Sequence, residues 1–191
     1  MMCTVRVRPW CAVVASLATA ATLVAAAGSP AGDGVSAAPD VAVKAAFLYN
    51  FAKFVEWPAM ASGARLVVCA VGDDAIAAAL VETVRGQNIS GHPIDVSRPQ
   101  DSRAWRGCHL LFIADVETRR SAGGLNELKM LPVLTVSDGK GFAQAGGIIE
   151  LYLEDTKIRF VINVDAGERS GLRLSSRLLL LAKVIRDRNV Q

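Results

Sequence analysis

The stretch Arg65-Leu66-Val67-Val68-Cys69-Ala70-Val71-Gly72-Asp73-Asp74, running into an alanine-rich segment at 75–85, decides the fold. Its unbroken apolar run lacks the alternation of a half-exposed strand and reads as a strand buried on both faces. Gly72 punctuates the run, and Asp73 or Asp74 can cap the helix that follows. A doubly buried strand feeding a helix is the βα unit of a largely parallel sheet.

Working outward, residues 109–114 form a second apolar strand, 121–129 a short helix and 132–136 a third strand. The intervening polar stretch, 86–107, holds one short strand near 93–97. The style then changes. Residues 148–153 and 158–164 flank Glu154-Asp155-Thr156-Lys157, which predicts an antiparallel hairpin. In its second arm Ile158, Phe160, Ile162 and Val164 share one face, and Arg159, Val161 and Asn163 the other. Residues 175–188 read as a closing helix. Upstream, Asp40 reads as an N-cap for a helix whose Phe47, Phe51 and Phe54 fall on one stripe, with Trp57-Pro58 ending it. The expected class is α/β: a mixed, mostly parallel sheet with helices on both faces, closed by a C-terminal hairpin plus helix.

The chain has 191 residues, 52% of them hydrophobic, and a formal net charge of +3. That apolar content excludes intrinsic disorder, and the weak charge without any basic block gives no ground for nucleic-acid binding. The excess is uneven. Arg6 and Arg8 precede an uncharged run over 12–27 that ends in three alanines, the pattern of a secretory signal peptide. At 16 residues the run is shorter than the ~20 needed to span a bilayer. The expected organisation is a signal peptide at 1–27, a flexible leader at 28–39 and one α/β domain at 40–188. Export would leave 19 basic and 18 acidic side chains, a net charge of +1.

Export also reduces four cysteines to two, Cys69 and Cys108, in a compartment where disulfides persist. Each lies beside an apolar strand, and a bond between them would act either as a staple or as a redox-responsive link. Neither pattern nor spacing supports catalysis. There is no dinucleotide fingerprint, P-loop or nucleophile elbow. Cys108 and His109 are adjacent strand residues facing opposite ways. The two cysteines with His92 and His109 lack zinc-ligand spacing. No cofactor, metal or catalytic residue is expected.

Read as a helix, the C-terminal segment is apolar twice over. Leu174, Leu178, Leu181, Ala182 and Ile185 make one stripe, and Leu180 and Val184 fall nearly opposite. A helix apolar on two sides is either sandwiched within its own chain or meets a partner. Leu180 and Val184, with Arg159, Val161 and Asn163 from the hairpin, are therefore the candidate partner surface.

At this point the residues resemble the YfiR-type family of periplasmic proteins. The opening segment Val43-Lys44-Ala45-Ala46-Phe47-Leu48-Tyr49-Asn50-Phe51-Ala52-Lys53-Phe54-Val55-Glu56-Trp57-Pro58 carries the signature, with Lys44, Phe47, Asn50, Phe51, Phe54 and Trp57 as its marks. Further matches are Cys108-His109-Leu110-Leu111-Phe112-Ile113, Leu134-Thr135-Val136-Ser137-Asp138, Arg159-Phe160-Val161-Ile162-Asn163 and Ser170-Gly171-Leu172. The resemblance implies a periplasmic, non-catalytic regulator. Such a protein would bind and repress the periplasmic sensor region of a YfiN-like inner-membrane diguanylate cyclase, controlling cyclic-di-GMP and biofilm formation. It also implies a YfiB-like, OmpA-like outer-membrane lipoprotein as a further partner, and a homodimer is a third possibility. One family cysteine pair maps onto Cys69 and Cys108; no cysteine follows Cys108 to supply a second. The other reading is a periplasmic small-ligand binder serving another membrane sensor. Its pocket would lie at the carboxyl ends of the parallel strands, near Gly72 and Ala114-Asp115.

Overall fold

The computed structural model describes residues 37–58, 60–118 and 120–187. In chain order the elements are α1 (Ala37–Lys53), β1 (Val55–Glu56), β2 (Leu66–Val71), α2 (Asp74–Val84), β3 (Asn88–Ile89), β4 (His92–Ser97), β5 (Leu110–Ile113), α3 (Asp115–Thr118) and α4 (Ala122–Leu128). They continue with β6 (Leu134–Ser137), β7 (Ile149–Glu154), β8 (Lys157–Asn163), α5 (Val164–Arg169), β9 (Arg173–Leu174), α6 (Ser176–Leu181) and β10 (Lys183–Ile185). A 3-10 turn, Ser102–Gly107, precedes β5. The expected signal peptide at 1–27 lies outside the described residues.

The main sheet has eight strands in the order β10-β8-β7-β6-β5-β2-β4-β3. Pairs β2–β4, β2–β5, β5–β6, β6–β7 and β8–β10 are parallel, and β7–β8 and β3–β4 antiparallel. The expected α/β class is thus present. The chain enters at β2, adds β4 on one side, then returns across β2 to build β5, β6 and β7 on the other.

Strand alternation explains why both faces are covered. In β5, Leu110 and Phe112 join one core while Leu111 and Ile113 join the other. Leu48 and Phe51 of α1 and Ile76 and Leu80 of α2 fill the first core. Its centre is aromatic: the Phe51 and Phe160 rings meet edge-on at 5.0 Å, and Phe47 stands 5.9 Å from Phe160. The second core is smaller, built from Cys69, Cys108, Trp105, Leu111, Ile113, Leu128 and Val133. The Trp105 turn and α4 cover that face.

At β2, Asp73 caps α2 by accepting from the Ile76 amide at 2.9 Å, as its sequence position predicts. Three local readings need correction. Helix α1 begins at Ala37, so Asp40 lies in its first turn and pairs with Lys44 at i,i+4 instead of capping. That helix stops at Lys53, because Val55 and Glu56 leave it to pair with Leu174 and Arg173 of β9. The closing helix expected over 175–188 is only α6. Residues 183–185 form β10 instead, the edge strand in parallel register with Val161, Ile162 and Asn163. Residues 183–185 reach the edge of β8 and complete a ladder there, which a continued helix would leave open.

Candidate functional site

The family-signature residues fix α1 to the sheet. Phe51 is buried, and Phe47, Phe54 and Trp57 are half-buried against the same core. The Trp57 indole donates to His109 O at 3.1 Å, and the Ser175 amide donates to Phe54 O at 3.0 Å. Lys44 reaches the end of β6, with Asp138 at 2.9 Å and Asp40 at 3.2 Å. Burial alone would lower its ammonium, but hydrogen bonds and attraction to Asp138 and Asp40 outweigh that and hold its pKa above the usual lysine value. Asp138 in turn accepts from the Asp115 amide at 2.8 Å. Asn50 is the exposed member of the set.

Cys69 of β2 and Cys108 are joined by a disulfide with Cα atoms 5.9 Å apart. Both are buried, at 1% and 4% exposure, inside the second core. Bulk reductant has no direct path to either sulfur. Beside them His109 accepts from the Val67 amide through Nδ1 at 3.1 Å. Burial pushes its imidazole below the ordinary value, and charge on His92 adds to the effect.

The five candidate partner residues divide. Arg159 is exposed and pairs across the hairpin with Glu154 at 3.4 Å. Leu180 is 84% exposed and Val184 46%; Leu181, at 72%, joins them in place of the core stripe its spacing predicts. Val184 pairs with Ile162 and shares its face, but stands at the sheet's edge. Val161 and Asn163 are a correction: they are 5% and 1% exposed and offer no surface. Their face is roofed by the loop at 139–147. Glu150, opposite Val161, accepts from the Gly141 and Ala143 amides at 3.1 Å each and pins the loop there. Asn163 donates to Ala143 O at 2.9 Å and caps α5 by accepting from the Ala166 amide at 3.1 Å. Arg159, nearer the hairpin turn, stays exposed.

At the crevice expected near Gly72 and Ala114-Asp115, the Glu117 side chain packs against the Gly72 backbone. A Cβ on Gly72 would stand 2.6 Å from Glu117 Cγ and 3.3 Å from Ala114 Cβ. A cavity with a volume of about 130 Å³ lies between α4 and residues 142–148. Sequence reasoning missed it because its walls come from segments joined only by the fold.

Among the described residues no helix is long and apolar enough to cross a membrane, and no group of three or more His, Cys, Asp or Glu could hold a metal ion. No curated protein matches the chain. Among solved structures, a conserved domain protein from Vibrio cholerae O1 biovar El Tor str. N16961 is similar, with 12% identity and a TM-score of 0.46. The match covers 75% of this chain and spans 59% of that protein's chain. The model of the YfiR/HmsC-like family matches residues 41–183, taking in most of α1, the sheet up to the start of β10, and Cys69 and Cys108. The chain therefore belongs to the YfiR/HmsC-like family.

Proposed function

We propose that this protein is a periplasmic regulator that binds the periplasmic sensor region of an inner-membrane diguanylate cyclase and holds it inactive. Lower cyclic-di-GMP and less biofilm follow from that repression. Family membership over residues 41–183 carries the reading. The basic start and apolar run at 6–27 support export. The protein acts by binding and carries out no chemical step.

The contact is made by the C-terminal edge, with Leu180, Leu181 and Val184 as apolar anchors. Three exposed aliphatic side chains within five residues of one another fit a protein interface better than free solvent. An OmpA-like outer-membrane lipoprotein that competes for the regulator would relieve the repression.

Deleting the gene in a strain expressing the cognate cyclase tests this. Cyclic-di-GMP is expected to rise and to fall again on complementation. An unchanged level would overturn the proposal. Cross-linking from intact membranes should recover the cyclase with the wild-type chain.

A further inference from the structure

On the second face of the sheet, the pocket of about 130 Å³ between α4 and residues 142–148 has apolar walls made by Leu125, Leu128, Phe142 and Ile148. Leu128, Phe142 and Ile148 are themselves 2–3% exposed, so these walls belong to the packed interior. Their position is fixed by polar side chains. Four of the six buried polar side chains among the described residues, Thr135, Glu150, Asn163 and Ser170, bond to the backbone around this pocket. Thr135 accepts from the Ile148 amide at 3.1 Å, Glu150 and Asn163 hold the 139–147 loop, and Ser170 donates to Lys129 O at 3.3 Å. Gly147 lets the Phe142 ring lie on the backbone, since a Cβ there would fall 2.1 Å from the ring. The cavity is therefore preformed, which lowers the ordering cost of filling it.

One cation marks the pocket. Lys129 is exposed, and its stem crosses toward the opposite wall: a Cβ on Gly146 would stand 3.5 Å from Lys129 Cε and 3.8 Å from Nζ. Asp187 feels its charge but is already paired with Arg169. Asn126 of the same rim adds a neutral amide. A dry cavity of about 150 Å³ accepts a benzene ring, so this one suits a single six-membered ring or a branched chain of that size.

We propose that this pocket binds a small apolar carboxylate, about one ring in size, with its anion on Lys129. The proposal stands apart from the regulatory reading, because it is read from binding to the protein alone. Benzoate and its neutral isostere benzamide are titrated into the full chain by calorimetry, and methyl chemical shifts of Leu125 and Ile148 locate the site. Benzoate is expected to bind roughly fivefold tighter than benzamide, the scale of one exposed charge contact. Lys129→Met should erase that preference, and Leu125→Trp should abolish both; Ala122→Trp at the rim replaces it if that variant does not fold. Absence of binding at millimolar concentration would overturn the proposal, as would a benzoate preference that survives Lys129→Met. Either failure leaves cyclic-di-GMP repression untouched.

Discussion

The Asn163 side chain donates to the Asp187 carboxylate at 2.8 Å and so ties the last residue of β8 to the segment beyond the edge strand β10. Arg169 shares the same carboxylate, while Asp165 accepts from the Asp187 amide at 2.9 Å and pairs with Arg186 at 2.7 Å. This small polar network joins the three-residue ladder in holding the C-terminal edge to β8 and α5.

Its strength depends on pH. The Asn163 hydrogen bond, then Arg169, hold the Asp187 carboxyl below the usual carboxylate range, outweighing partial burial. A depressed acid stabilises the fold above its unfolded pKa, and that contribution disappears as pH falls through the folded value. Amide protection factors within β10, corrected for intrinsic exchange, are therefore expected to fall on acidification below pH about 4. Asp187→Ala should produce the same fraying at pH 7. Unchanged exchange in that variant would assign the edge to the ladder alone.

The buried disulfide closes a span of 39 residues in sequence. Loop-closure entropy for a span of that length is worth about 4 kcal/mol. Replacing both Cys69 and Cys108 by Ser is expected to lower unfolding free energy by about that amount in urea titration. Because the sulfurs sit in the second core, native protein should resist reductant until it opens. Rapid reduction without unfolding would contradict the burial.

His109 predicts an acid limit that the carboxylates alone would not give. Its Nδ1 is an acceptor for the Val67 amide, so protonation there removes a hydrogen bond as well as placing charge in a buried site. A histidine with a depressed folded pKa stabilises above about pH 6.5 and loses that contribution as pH drops below it. The melting temperature should fall between pH 7 and 5, with a shallower slope in His109→Asn. Identical slopes would exonerate the imidazole.

The hairpin turn is strained at one residue. Asp155 and Thr156 have φ of 46° and 66°, the left-handed pair of a two-residue hairpin loop. A β-branched side chain is poorly suited to that conformation. Thr156→Gly should stabilise by about 0.5–1.5 kcal/mol, partly offset by unfolded-state entropy. Thermal unfolding that shows a loss would mean the Thr156 side chain contributes contacts outweighing the strain.

Which parts of this molecule were legible in sequence follows from whether the cause is local. The β2 run, the Asp73 cap and the turn at 155–156 are set by neighbouring residues, and the structure agrees there. The hairpin parity was also readable: Phe160 and Ile162 face the first core together. The covering of Val161 and Asn163 was not, because it depends on a loop held down by Glu150 from a different strand. Leu178 to Leu181 favour a helix, and nothing local stops it before Lys183-Val184-Ile185. Only pairing with β8 makes those three residues a strand. Trp105 was hidden similarly, as one buried ring within a polar stretch.

The contrast between Leu180 and Val161 separates binding from folding. Leu180 is 84% exposed, so Leu180→Asp removes almost no packing and should change stability by no more than about 0.5 kcal/mol. Placed among the apolar anchors of a partner contact, the same carboxylate would be desolvated without a counter-ion and should abolish repression of the cyclase. Val161 is 5% exposed beneath the 139–147 loop, so Val161→Asp buries a charge and should unfold the domain. Circular dichroism with cyclic-di-GMP measurement distinguishes the two outcomes. A folded Leu180→Asp protein that still represses would move the partner contact away from the C-terminal edge. If it represses no longer while the melting temperature holds, the exposed apolar side chains beside β10 are the docking surface.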